Sequence, residues 1–160
     1  VTSQYSIDTD RLYATGQSMG AIMSIVMGIE YPDLFAASYI VAGQWDPTKV
    51  EPLADDRLWI VVAQGGDNAY PGENKITAAL EKEGAEASRA VWDGRSTAAQ
   101  FATDVAAMAA KGTSINYAAL KKGTVVPAGE TDNSINNHLS TRTIAYDIDG
   151  IREWIFQQRK

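Results

Sequence analysis

The chain has 160 residues, 45% of them hydrophobic and 21% charged, with a formal net charge of −6 and no cysteine. That size and composition fit one globular domain, taken as residues 1–160, with a sizeable core. The acidic balance and scattered basic residues argue against nucleic acid and membrane surfaces as partners, and the lack of thiols removes disulfides, Cys-zinc sites and thiol nucleophiles together.

In chain order, an Asp-rich turn at 8–11 leads into a short β-prone run at 12–15, which stops at Gly16. Residues 19–30, rich in Ala, Ile, Met and Val, predict a buried helix that ends before Tyr31-Pro32. Two apolar runs follow, 35–42 and 58–63, and such two-faced apolar strands belong to a parallel sheet covered by helices. Gly65-Gly66-Asp67 forms a loop, with a helix expected over 74–83 from the spacing of Ile76, Ala79 and Leu80. Residues 87–92 predict a strand, 96–111 an Ala-rich helix, and 114–120 a last strand. A polar loop is expected over 121–137, and one terminal helix over 143–158. The alternation of strands and helices gives an α/β class with a mostly parallel sheet. No apolar run approaches the roughly 18 residues of a membrane span, and no basic-then-apolar leader precedes the turn, so a soluble mature segment is expected.

Gly16-Gln17-Ser18-Met19-Gly20 matches G-x-S-x-G. In that pattern a serine occupies a strained strand-to-helix corner, with small residues either side letting the two elements approach. The bare pattern arises by chance in roughly 6 of 100 such sequences, so the flanks decide. A strand before and a helix after are both expected without using the motif. Ser18 is therefore the candidate nucleophile, and the backbone N–H of Met19, at a helix amino terminus, is a candidate oxyanion donor.

A serine nucleophile needs a base, and His138 is the single histidine. It lies in sequence after the last expected strand, in the polar loop before the terminal helix. The third member is a carboxylate between Ser and His in chain order. Asp67, after the strongest strand, is the first choice; Asp93, after the strand at 87–92, is the rival. Trp45 and Asp46 follow a strand and have packing as their plainer reading. Tyr70-Pro71-Gly72 reads as a turn, and the acidic residues Glu51, Asp55 and Asp56 as a surface loop without metal-ligand spacing.

These residues give the sequence a resemblance to the α/β hydrolases, in the esterase and predicted-peptidase branch related to polyhydroxybutyrate depolymerases and feruloyl esterases. It is carried by Ile7-Asp8-Thr9-Asp10-Arg11-Leu12-Tyr13 before the elbow, Gly66-Asp67-Asn68-Ala69-Tyr70-Pro71-Gly72, Lys122-Gly123-Thr124-Val125-Val126-Pro127, and the stretch from His138 through Gln157. The resemblance implies cleavage of a small-molecule or polymer ester through an acyl-enzyme, with no cofactor, and a lean toward a secreted or periplasmic location. Ala21 departs from the second glycine that often follows such elbows. In the family, several strands and the loop with the second oxyanion donor precede the elbow, whereas about fifteen residues do here. The chain is accordingly expected to be the C-terminal part of an α/β-hydrolase fold, completed by an N-terminal segment. Amide or peptide hydrolysis uses the same residues, and a catalytically silent interaction module is the reading from a different class.

Overall fold

The computed structural model describes residues 4–160. Five strands, β1 (Tyr13–Gln17), β2 (Ala37–Val41), β3 (Leu58–Ala63), β4 (Ala87–Trp92) and β5 (Ile115–Leu120), form one sheet in the order β1-β2-β3-β5-β4. Every neighbouring pair is parallel. The interleaved helices are α1 (Met19–Glu30), α2 (Ala69–Lys82), α3 (Ala98–Ala109), α4 (Ser134–Ala145) and α5 (Asp149–Gln157). This is the α/β architecture expected from the alternation.

Strand composition follows position. Every residue of β2, β3 and β5 is buried, as expected of central parallel strands, with Ser38 and Asn116 the polar interruptions in β2 and β5. Strand β4 lies at an edge, and its burial is broken, with Val91 58% exposed. Chain order conceals this arrangement, because β5 returns to pair between β3 and β4.

Alternation along the strands divides the core between two faces. On one, Ile40 and Ile60 meet Ile25 of α1 and Ile76 of α2. On the other, Trp59 is fully buried against Trp92 and, edge to face at 5.2 Å between centroids, Trp154 of α5. Tyr39, beside Trp59 in register, donates its hydroxyl to the Ala145 carbonyl at 2.7 Å and fixes the end of α4. Along α1, Met19 and Met23 are 67% and 57% exposed.

Three expectations change. The helix after β3 begins at Ala69, so Tyr70, Pro71 and Gly72 belong to its first turn rather than to a separate turn. Proline is tolerated there because the first N–H groups of a helix have no intrahelical acceptor. Gly72 also lets this turn lie against Gln44, whose Cβ would be 2.7 Å from an added methyl.

The terminal region holds two helices instead of one, and the polar stretch before it is partly helical, which places His138 within α4 and not in a loop. Helix α4 conceals itself because its buried stripe is Asn137, Thr141 and Ala145 rather than an apolar face. Local bonds satisfy much of that polar stripe: Asn137 Nδ2 donates to the Asn133 carbonyl at 2.9 Å, and Thr141 donates to the Asn137 carbonyl at 2.7 Å.

Candidate active site

Strand β1 ends at Gln17 and α1 begins at Met19, leaving Ser18 as the corner residue. Its backbone has φ 55° and ψ −114°, a strained conformation for a residue with a Cβ. The surroundings hold it from both sides. Its N–H donates to the Val41 carbonyl at 3.0 Å, extending the β1–β2 ladder, and its carbonyl accepts from Ile22 N–H at 3.0 Å, opening the helix.

The two glycines of the motif play unequal parts. A Cβ on Gly16 would lie 2.1 Å from the carbonyl carbon of Gly20, so strand and helix approach only because Gly16 lacks one. A Cβ on Gly20 would meet nothing within 4 Å among the described residues. The expectation that both glycines serve the close approach thus holds sterically for Gly16 alone.

The imidazole of His138 reaches across from the first turns of α4, its Nε2 lying 2.8 Å from Ser18 Oγ. Gln17 Nε2 donates to the His138 carbonyl at 3.2 Å, and Thr15 Oγ1 lies 3.0 Å from the Tyr146 hydroxyl, so α4 is tied to β1 at its second turn and at its C-cap. Partial burial lowers the His138 pKa below its ordinary value, favouring the neutral imidazole. With Nδ1 protonated, Nε2 is free to accept the serine proton.

Asp67 lies in the loop after β3, and its N–H donates to Ser134 Oγ at 2.8 Å in the first turn of α4. Gly65 makes the same contact tight, since a Cβ there would fall 2.3 Å from the side-chain carbonyl of buried Asn137. Ser134 and Asn137 therefore lock this loop to the helix that carries His138. The Asp67 side chain is exposed on the rim of a cleft of about 300 Å³ that also takes in Ser18 and His138. Among the described residues its carboxylate accepts no hydrogen bond, and the only hydrogen bond of the imidazole is to Ser18.

Asp93 follows the edge strand β4, where its Oδ1 accepts the Arg95 N–H at 2.8 Å in a turn facing α3. The structure brings Ser18 and His138 into contact, sets Asp67 on their cleft, and puts Asp93 in a separate hollow.

Met19 is the first residue of α1, so its N–H is one of the helix's unpaired donors and projects at the corner. Ala42, following β2, borders the same cleft and has φ 49°; it and Ser18 are the non-glycine residues with positive φ among those described. A second, more open hollow of about 560 Å³ adjoins the cleft, sharing Ile22, Gln44, Asp67 and Asn68 and adding Trp45, Pro47 and Lys75. Among the described residues no group of three His, Cys, Asp or Glu side chains is placed to hold a metal, and no helix is long and apolar enough to cross a membrane.

Sequence reasoning did not single out Gln17, Ala42, Ser134 or Asn137. Gln17 lies inside the motif and was legible as a neighbour of the serine. The others declare themselves only through contacts between distant segments.

The family model described as "Putative esterase" matches residues 1–160. The chain is similar to acetylxylan esterase A of Emericella nidulans, with 34% identity over 86 residues, covering 44% of this chain and 28% of that protein. It is also similar to poly(3-hydroxyalkanoate) depolymerase C of Paucimonas lemoignei, with 49% identity over 83 residues, covering 44% of this chain and 20% of the relative. The crystal structure of a thermostable esterase superposes on the whole chain with a TM-score of 0.73 and 22% identity, over 34% of its own length, which speaks to the fold. The chain spans about a fifth to a third of the length of these proteins. With the family model matching throughout, the chain belongs to the esterase family and has the α/β-hydrolase fold.

Proposed function

We propose that the protein hydrolyses carboxylic esters through an acyl-enzyme formed on Ser18. The observation that carries the reading is the 2.8 Å contact between Ser18 Oγ and His138 Nε2 at a strained strand-to-helix corner. In the forward step Ser18 Oγ attacks the ester carbonyl while His138 accepts the hydroxyl proton. The tetrahedral oxyanion forms beside the Met19 N–H, where the amino terminus of α1 favours negative charge. Collapse expels the alcohol, which takes the proton back from His138. Water then repeats the sequence on the acyl group and releases the acid.

Asp67 orients His138 and stabilises the imidazolium in this reading. Its support is position: it borders the cleft, it follows the central strand β3, and its carboxylate is uncommitted among the described residues. The adjoining hollow with Trp45 gives room for a large alcohol or polymer portion beside the reacting carbonyl. That reading agrees with the polymeric substrates named for the acetylxylan esterase and poly(3-hydroxyalkanoate) depolymerase relatives. Replacing the nucleophile, Ser18→Ala, tests the proposal: turnover of p-nitrophenyl acetate falls by several orders of magnitude, and near-normal turnover refutes it.

A further inference from the structure

Glu73 lies on α2 outside the reacting groups, yet it is fully buried. Its Oε1 accepts the Gly43 N–H at 3.0 Å, and its Oε2 has no partner among the described residues. Around it is a small apolar cavity formed by Ile25, Ile40, Leu53, Ile60 and Ile76, with the hydroxyls of Ser24 and Ser38 as its other polar groups. Such a pocket penalises a charge strongly and tolerates a neutral acid.

The bond to Gly43 reaches the elbow by a short covalent path. Gly43 follows Ala42, whose positive φ turns the chain away from β2 at the cleft wall. Ala42 in turn follows Val41, whose carbonyl receives the Ser18 N–H. A Cβ on Gly43 would lie 2.7 Å from Ala21 Cβ, so this turn is packed tightly against α1.

We infer that Glu73 is a positioning residue which, as a neutral carboxylic acid, clamps the Ala42-Gly43 turn and so holds the backbone that supports Ser18. This rests on the reading of Ser18 as the nucleophile. Burial pushes the Glu73 carboxyl up to about 8, against the opposing pull of the Gly43 N–H. Tyr117 of β5, in register with Ile60 of the cavity wall, is a titratable group within reach of the Glu73 charge; Tyr70, on the helix of Glu73, and Arg89 of β4, whose guanidinium lies 5.1 Å over the Tyr117 ring, act on that phenol. Burial also raises the Tyr117 phenol, so it stays neutral, and among the described residues the polar side chains that α1 and β2 bring to this cavity are the Ser24 and Ser38 hydroxyls.

The sign of the pH effect follows from the raised value. An unfolded Glu loses its proton near 4.5, whereas the folded one keeps it until about 8. Stability therefore declines as pH rises between those values and levels off above the upper one.

Two variants separate the clamp from simple packing. Glu73→Gln keeps a neutral acceptor at every pH, whereas Glu73→Leu fills similar space but leaves the Gly43 N–H unpaired. The Gln variant is expected to retain kcat for p-nitrophenyl acetate within about twofold, and the Leu variant to lose roughly tenfold or more in kcat with little change in KM, as small misplacements of reacting groups do.

Two readouts do not depend on ester turnover. Infrared spectroscopy at neutral pH should show a protonated-carboxyl stretch that disappears in Glu73→Gln, and the Tm advantage of that variant should widen from pH 5 to 8. A Gln variant as impaired as the Leu variant, or a missing carboxyl band with a constant Tm difference, overturns the inference. If ester turnover is absent in every form, the function reading fails, while the infrared and Tm results still decide the state of Glu73.

Discussion

The unequal roles of the two motif glycines can be tested by adding one methyl group at each. In Gly16→Ala the new carbon would lie 2.1 Å from Gly20 C, 2.3 Å from Gly20 O and 2.6 Å from Gly20 Cα. Carbon atoms rest about 3.5–4.0 Å apart, so α1 must retreat from β1 by more than about 1 Å to accept the methyl. The obstacle is backbone, which cannot rotate aside. Overpacking of this kind costs about 1–3 kcal/mol, and the upper end applies where no flexible side chain yields. The same retreat carries Ser18 away from His138, and a misplacement of about 1 Å is worth on the order of a hundredfold in rate. Gly20→Ala, by contrast, meets no neighbour among the described residues in the first turn of a helix, where alanine is favoured over glycine by up to about 1 kcal/mol. Urea midpoints and the rate of p-nitrophenyl acetate hydrolysis would be measured for both variants of the 160-residue chain. A Gly16→Ala protein as stable and reactive as its parent, or a Gly20→Ala protein equally damaged, refutes this steric account of the elbow.

Replacing the carboxylate on the cleft, Asp67→Asn, should cost far more activity than Asp93→Asn with the fold retained; the reverse ranking in steady-state kinetics transfers the orienting role to Asp93. For Glu73, the gap between the unfolded value of 4.5 and the folded value of about 8 corresponds to several kcal/mol, which Glu73→Gln should recover in denaturation at pH 8 and which an unaltered midpoint would deny.

Features governed by local pattern were legible in the sequence. The apolar runs of β3 and β5, the helix α1 between the elbow and Tyr31-Pro32, and the corner at Ser18 all depend on residues close together in the chain. The single histidine made the choice of base a matter of elimination, and the structure brings it to the serine. What escaped depends on distant segments. Helix α4 buries Asn137 and Thr141, a stripe that looks solvent-facing until Gly65 and the Asp67 loop pack on it. The edge position of β4, which takes Asp93 away from the cleft, follows from the order in which strands pair, and no local pattern records that order. Glu73 resembles any helix-surface glutamate until α1, β2 and β3 enclose it.

The central claim is that Ser18 is a nucleophile activated by His138, and covalent labelling tests it without any assumption about substrate. A fluorophosphonate probe should attach to the protein at one position, and peptide mass spectrometry should find it on Ser18, with His138→Ala slowing the labelling severely and Ser18→Ala abolishing it. Absence of labelling at Ser18, or labelling that proceeds unchanged without His138, would contradict the account.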